Sequence, residues 1–133
     1  MDSGGPKRKM AAMERIFVAL AGLFGASTVA MAAWLAHGLR ASLDESALHQ
    51  MQTALQMQGW HALALLGLAA WLPRGGWAAR AAGLCFALGV FGFCTAIYAL
   101  ALRGLQVPML APAGGSLTIL GWLLLALSAL ARR

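Results

Sequence analysis

Four stretches of the chain, about residues 16–39, 53–72, 80–102 and 116–131, consist almost wholly of apolar and small side chains. Each approaches the ~20 residues that a helix needs to cross a ~30 Å hydrocarbon core. Backbone N–H and C=O groups in hydrocarbon must find partners within the protein, and a single apolar stretch does this as an α-helix. With 61% hydrophobic and 11% charged residues the chain is also far from an ordinary soluble domain, which is about 25% charged. The expected architecture is an all-α membrane protein, a four-transmembrane-helix bundle over residues 14–133, after a disordered cytoplasmic lead-in at residues 1–13.

Polar punctuation sets the expected helix ends. The first helix follows Glu14-Arg15 and stops near Gly38 and Arg40. Its apolar run exceeds a signal-peptide core, so it is read as an uncleaved span. Ser42-Leu43-Asp44-Glu45 reads as a capping box at the start of the second helix. Pro73 ends that helix and Arg74-Gly75-Gly76 makes a tight turn into the third, which closes at Arg103-Gly104. Pro108, Pro112, Gly114 and Gly115 predict an irregular segment before the fourth helix, with Ser116 as its N-cap.

The basic residues orient the spans, because Lys and Arg stay on the cytoplasmic side. With both termini inside, Lys7, Arg8, Lys9, Arg15, Arg74, Arg80, Arg132 and Arg133 are cytoplasmic, leaving Arg40 and Arg103 outside. The expected location is a bacterial inner (plasma) membrane, crossed several times. The net charge of +6 therefore belongs to helix anchoring, and no basic stripe interleaved with aromatics points to nucleic acid.

Small-residue seams mark close helix contacts in lipid. On helix 1, Ala19, Gly22, Ala26, Ala30, Ala33 and His37 fall near one line and form the expected interior face. Cys85, Gly89, Gly92 and Ala96 form a second seam on helix 3, and helix 4 offers Gly121 and Ser128. Cys85 and Cys94 are nine residues apart, hence on opposite faces of one helix about 13 Å apart along it, beyond disulfide reach.

The candidate polar site is His37, Gln58, His61 and Tyr98. His61 lies well within a span, where a polar ring needs a partner; packing inside with a bond to a neighbouring hydroxyl or carbonyl is its bland role, and a proton relay or ligand contact its sharper one. His37, near the outer surface, either bonds the last carbonyls of helix 1 or points inward with His61 and Tyr98. Gln58 stands beside His61 as its expected hydrogen-bonding neighbour, in a track linked by water. The three side chains His37, His61 and Tyr98 lie at different depths and are not expected to form a metal site, and no cofactor is implied. The chain lacks a phosphate-binding glycine loop, a zinc-spaced Cys pair and a nucleophile elbow. Its four acidic residues, Asp2, Glu14, Asp44 and Glu45, lie outside the spans, which argues against a proton-coupled exporter.

At these polar positions the sequence resembles the uncharacterised YgdD/YwdK-like membrane proteins, domain-of-unknown-function family 423. The resemblance rests on Ala36-His37-Gly38-Leu39, on the run from Thr53 to Ala64 that includes Gln58-Gly59-Trp60-His61, on Tyr98-Ala99-Leu100, and on Pro112-Ala113-Gly114-Gly115 with Gly121-Trp122. It implies a four-helix inner-membrane protein with no established reaction, substrate or cofactor. This chain departs from the family pattern at Ala32-Ala33-Trp34-Leu35, at Met57 and at Cys94-Thr95-Ala96.

These features predict a non-enzymatic structural or partner-stabilising membrane component. Its expected partners are the lipid bilayer and either another membrane protein or further copies of itself. The alternative is binding or passage of a small solute, ion or lipid through the polar outer half of the bundle.

Overall fold

The structure, a computed structural model, describes residues 5–131. The elements are α1 (Pro6–Trp34), a π-helical turn (Leu35–Leu39), α2 (Glu45–Arg103) and α3 (Leu110–Leu130). Three continuous helical segments, Pro6–Leu39, Glu45–Arg103 and Leu110–Leu130, are long and apolar enough to cross a membrane. The count differs from the expected four because stretches 53–72 and 80–102 lie in one helical element, α2. Within it only Gly76 leaves helical backbone angles, at φ 62° and ψ −150°. That conformation is open to glycine and closed to residues with a Cβ, and it folds α2 back on itself. The Cys94 thiol donates to the Ala54 carbonyl and the Tyr98 hydroxyl to Gln58, each across 40 residues. A straight helix would hold such pairs about 60 Å apart. Residues 45–75 and 77–103 are thus two arms of a hairpin.

Several boundaries are corrected. α1 begins at Pro6, in its first turn, where the missing N–H and preset φ suit a helix start. Residues 6–13 of the expected disordered lead-in are therefore helical, and Met13 packs against the core. Residues 1–4, like Arg132 and Arg133, fall outside the described residues. The cap of α2 is Asp44, whose carboxylate accepts from the Ala47 amide at 2.7 Å, while the Ser42 hydroxyl donates back to the Leu39 carbonyl. The Pro/Gly segment is irregular only as far as Met109, since Pro112 sits in the first turn of α3, where no intrahelical N–H is needed. Ser116 is accordingly inside the helix, donating to the Pro112 carbonyl at 2.8 Å.

The core joins the three α-helices. Phe17 and Ala21 of α1, Leu65, Leu68, Ala69 and Leu72 of the first arm, and Ala79, Ala82 and Phe86 of the second arm form one buried cluster, against which Leu124 and Leu125 of α3 pack. Phe17 lies over Gly83, whose absent side chain leaves room for the ring. The inward face of α1 is Phe17, Ala21 and Phe24, with Phe24 half-buried, and buried Leu35 continues it into the π-helical turn. This overturns the expected interior seam: Ala19, Gly22, Ala26, Ala30, Ala33 and His37 are all exposed. At about 100° per residue they stand half a turn from Phe17 and Leu35. At the Phe17–Gly83 contact the large side chain comes from α1 and the small residue from the second arm of α2. The seam on the second arm is where it was expected, with Gly89, Gly92 and Ala96 buried and Gly89 and Gly92 facing α3, and Gly121 and Ser128 of α3 are buried too.

Candidate functional site

Gln58 and His61 are both buried on the first arm, yet they serve different neighbours. The Gln58 amide nitrogen donates to the Phe24 carbonyl at 3.1 Å and to the Ser27 hydroxyl at 2.6 Å, both on α1. Its carbonyl oxygen accepts from the Tyr98 hydroxyl of the second arm at 2.9 Å. A main-chain carbonyl can only accept, so the orientation of the amide is fixed by its partners. One side chain therefore ties three helical segments together. Ser27 closes the arrangement by donating to the Leu23 carbonyl at 2.7 Å.

His61 turns toward α3. Its Nε2 accepts from the Trp122 indole N–H at 3.1 Å, and its Nδ1 lies 2.7 Å from the Met57 carbonyl. Indole N–H only donates and a carbonyl only accepts, which selects the neutral tautomer with the proton on Nδ1. Both ring nitrogens are then used. Phe86 and Trp122 stand edge-on to the imidazole, with centroids 5.3 and 5.9 Å away. Gly121 makes this possible, because a Cβ there would lie 2.6 Å from the Phe86 ring.

The expected site is thus divided. Gln58 and Tyr98 are brought together, His61 belongs to a separate aromatic cluster, and Gln58 bonds α1 and the second arm in place of His61. Three residues along a helix rotate the side chain by about 60°, enough to aim the two at different helices. His37 is exposed and joins neither group. It sits on the π-helical turn, where the Arg40 N–H reaches back five residues to the Leu35 carbonyl and Trp34 lies against Gly38. Among the described residues no three His, Cys, Asp or Glu side chains are grouped to hold a metal, and every buried side-chain nitrogen or oxygen has a hydrogen-bond partner. A further clasp, Trp71 N–H to the Ser128 hydroxyl at 3.0 Å, was not anticipated from the sequence, nor was Ser27. Serines three or four residues after a carbonyl on an apolar helix commonly bond back to it, so nothing in the sequence set Ser27 apart.

Two cavities flank the Gln58–Tyr98 bond. One, of about 380 Å³, is lined by Leu23, Phe24, Ser27, Gln58, Val90 and Phe91 among others, and the second, of about 560 Å³, by Trp34, Leu39 and Arg103; Thr95 and Tyr98 line both.

The family model for a protein of unknown function, DUF423, matches residues 31–115, which include the π-helical turn, Gln58, His61 and Tyr98. The chain belongs to the DUF423 family. It is 34% identical to a UPF0382 membrane protein of Haemophilus influenzae, over 86% of this chain and 93% of that one. It is 32% identical to the UPF0382 inner membrane protein YgdD of Escherichia coli K12, over 87% of this chain and 90% of that one. A UPF0382 membrane protein of Staphylococcus haemolyticus is 30% identical over 86% of this chain and 94% of its own length. No solved structure matches. With its apolar helices and these relatives, this DUF423 chain is a transmembrane protein, and the resemblance read from Ala36-His37-Gly38-Leu39 and Gln58-Gly59-Trp60-His61 was to the right family.

Proposed function

We propose that this protein is a non-enzymatic component of the bacterial inner (plasma) membrane that packs the outward face of α1 against a transmembrane helix of a partner membrane protein. The observation that carries this reading is the direction of the α1 seam. Ala19, Gly22, Ala26, Ala30 and Ala33 point away from the bundle, and a line of small residues permits the close backbone approach on which helix association in lipid depends. The polar groups inside the bundle support it as well, because Gln58 and His61 spend their hydrogen bonds on holding helices in register.

In this reading the chain crosses four times, α1, the two arms of α2 and α3 each making one pass, with both termini cytoplasmic. The distribution of Lys and Arg supports that orientation. The name of the Escherichia coli relative, an inner membrane protein, supports the location.

Purification in mild detergent tests the reading. The full chain should bring down one stoichiometric membrane protein, or a second copy of itself, and Ala26→Leu and Ala30→Leu should lose it while melting like wild type. A wild-type chain that runs alone, with both variants indistinguishable from it, overturns the proposal. For the orientation, a reporter fused after the C-terminus that is active only in the periplasm refutes it.

A further inference from the structure

We propose that the groove between α1 and the second arm of α2 holds one membrane phospholipid with an anionic headgroup. The two cavities beside the Gln58–Tyr98 bond share Thr95 and Tyr98 in their walls, so they are successive sections of one groove. Along the second arm the groove runs from Val90 to Arg103, and along α1 and the π-helical turn from Leu23 to Leu39. Thirteen helical residues rise about 20 Å, which matches one leaflet of a ~30 Å hydrocarbon core together with its headgroup region.

Its chemistry changes along that length as an amphiphile's does. The deep end is walled by Leu23, Phe24, Val90 and Phe91, and exposed Leu23 and Phe91 form its rim, so an acyl chain can enter sideways from the bilayer. Next come the hydroxyls of Thr95 and Tyr98. Tyr98 gives its proton to Gln58 and keeps lone pairs to accept, while Thr95 can donate to an ester or phosphate oxygen. At the far end stand Trp34, half-exposed and of the type enriched at membrane interfaces, and the exposed guanidinium side chain of Arg103. Arginine offers a planar fork of donors that suits a phosphate. Neither Asp44 nor Glu45 lines this end. An apolar trough ending in hydroxyls and a cation is complementary to a phosphodiester lipid with net negative charge. A partner helix would leave the cation at the end of the groove unmatched.

The site is independent of the partner-docking reading: it lies on the flank of α1 about a quarter turn from the Ala/Gly seam, so either can fail alone.

The test uses the full chain in nanodiscs containing equal phosphatidylcholine and phosphatidylglycerol, followed by detergent release and native mass spectrometry. Wild type should retain one phosphatidylglycerol. Arg103→Ala should lower the preference for phosphatidylglycerol over phosphatidylcholine by about fivefold, the worth of one basic side chain near an anionic surface, and Arg103→Lys should keep most of it. Thr95→Phe, a change at an exposed position that fills the trough, should abolish retention of both lipids at unchanged melting temperature. Arg40→Ala, which removes the other basic residue expected on that side but does not line the groove, should leave retention as in wild type. Retention that is equal for the two lipids and indifferent to Arg103, retention of a fatty acid alone, or a cross-link from Thr95→Cys to a second protein chain would each overturn the proposal.

Discussion

Gly89 and Gly114 meet backbone against backbone. A Cβ on Gly114 would stand 2.6 Å from the Gly89 carbonyl oxygen and 2.5 Å from the Phe93 amide nitrogen, and a Cβ on Gly89 would stand 2.8 Å from the Gly114 carbonyl oxygen. This contact brings α3 down onto the second arm of α2 and lets Thr118 and Gly121 be buried in turn.

Gly114→Ala should therefore destabilise the bundle by about 1–3 kcal/mol, the usual cost of forcing an extra carbon into a packed contact whose neighbours are backbone. Gly115→Ala is the control. Its nearest non-local atom is a Phe93 ring carbon 3.9 Å from the added Cβ, so it should melt within about 0.5 kcal/mol of wild type, as substitutions away from tight contacts do. Thermal unfolding in detergent distinguishes the two, and equal melting temperatures would mean that α3 packs elsewhere.

Tyr98→Phe tests the clasp around Gln58. It removes the one donor to the Gln58 carbonyl oxygen and leaves that oxygen buried. Interhelical hydrogen bonds in membrane proteins average about 0.6 kcal/mol and reach about 1.7, and this one should fall in the upper half because Gln58 is 6% exposed. Gln58→Leu, which breaks the contacts to Phe24 and Ser27 as well, should cost more. In the double variant the two losses should not add, since both remove the same bond; strict additivity would show that Tyr98 and Gln58 do not touch.

The contrast between these residues explains what was legible in the sequence. Gln58, His61, Ser128 and Gly121 stand out in apolar spans, and each is buried at a helix contact. Of their partners, Tyr98 stands out and the others do not. Phe24 contributes a carbonyl, Ser27 resembles any serine that bonds back along its own helix, and Trp122 is marked only through the family resemblance at Gly121-Trp122. Helix facing was legible on the second arm and misleading on α1. A close helix pair needs small residues on only one side, and here Gly83 receives Phe17, which leaves the Ala/Gly line of α1 free to face outward. The boundaries erred where local rules compete: Pro112 breaks a helix interior but is harmless in a first turn, and Asp44 took the cap that Ser42 was expected to supply.

Gly76→Ala should disturb the hairpin. At φ 62° and ψ −150° the position lies where residues with a Cβ suffer backbone strain of about 1–3 kcal/mol, although a Cβ there would meet no atom within 4 Å. The loss should come from backbone conformation alone, so Gly76→Ala and Gly76→Ser should lower the melting temperature alike. A stability that instead scaled with side-chain size would place the fold-back at another residue.

The last prediction concerns the proton on His61. Because Trp122 donates to Nε2 and the Met57 carbonyl faces Nδ1, nitrogen NMR of selectively labelled protein should show a protonated, pyrrole-type Nδ1 and an unprotonated, pyridine-type Nε2. Trp122→Phe keeps an aromatic ring beside Phe86 but removes the indole donor. The Nε2 resonance should then move, as its hydrogen bond is lost, while Nδ1 stays protonated against Met57. The stability cost should be close to the ~0.6 kcal/mol average for such bonds, smaller than that of Gln58→Leu, since one contact is lost and not three. A wild-type spectrum with the proton on Nε2 would contradict the Trp122 bond, and with it the orientation of the imidazole that ties the first arm to α3.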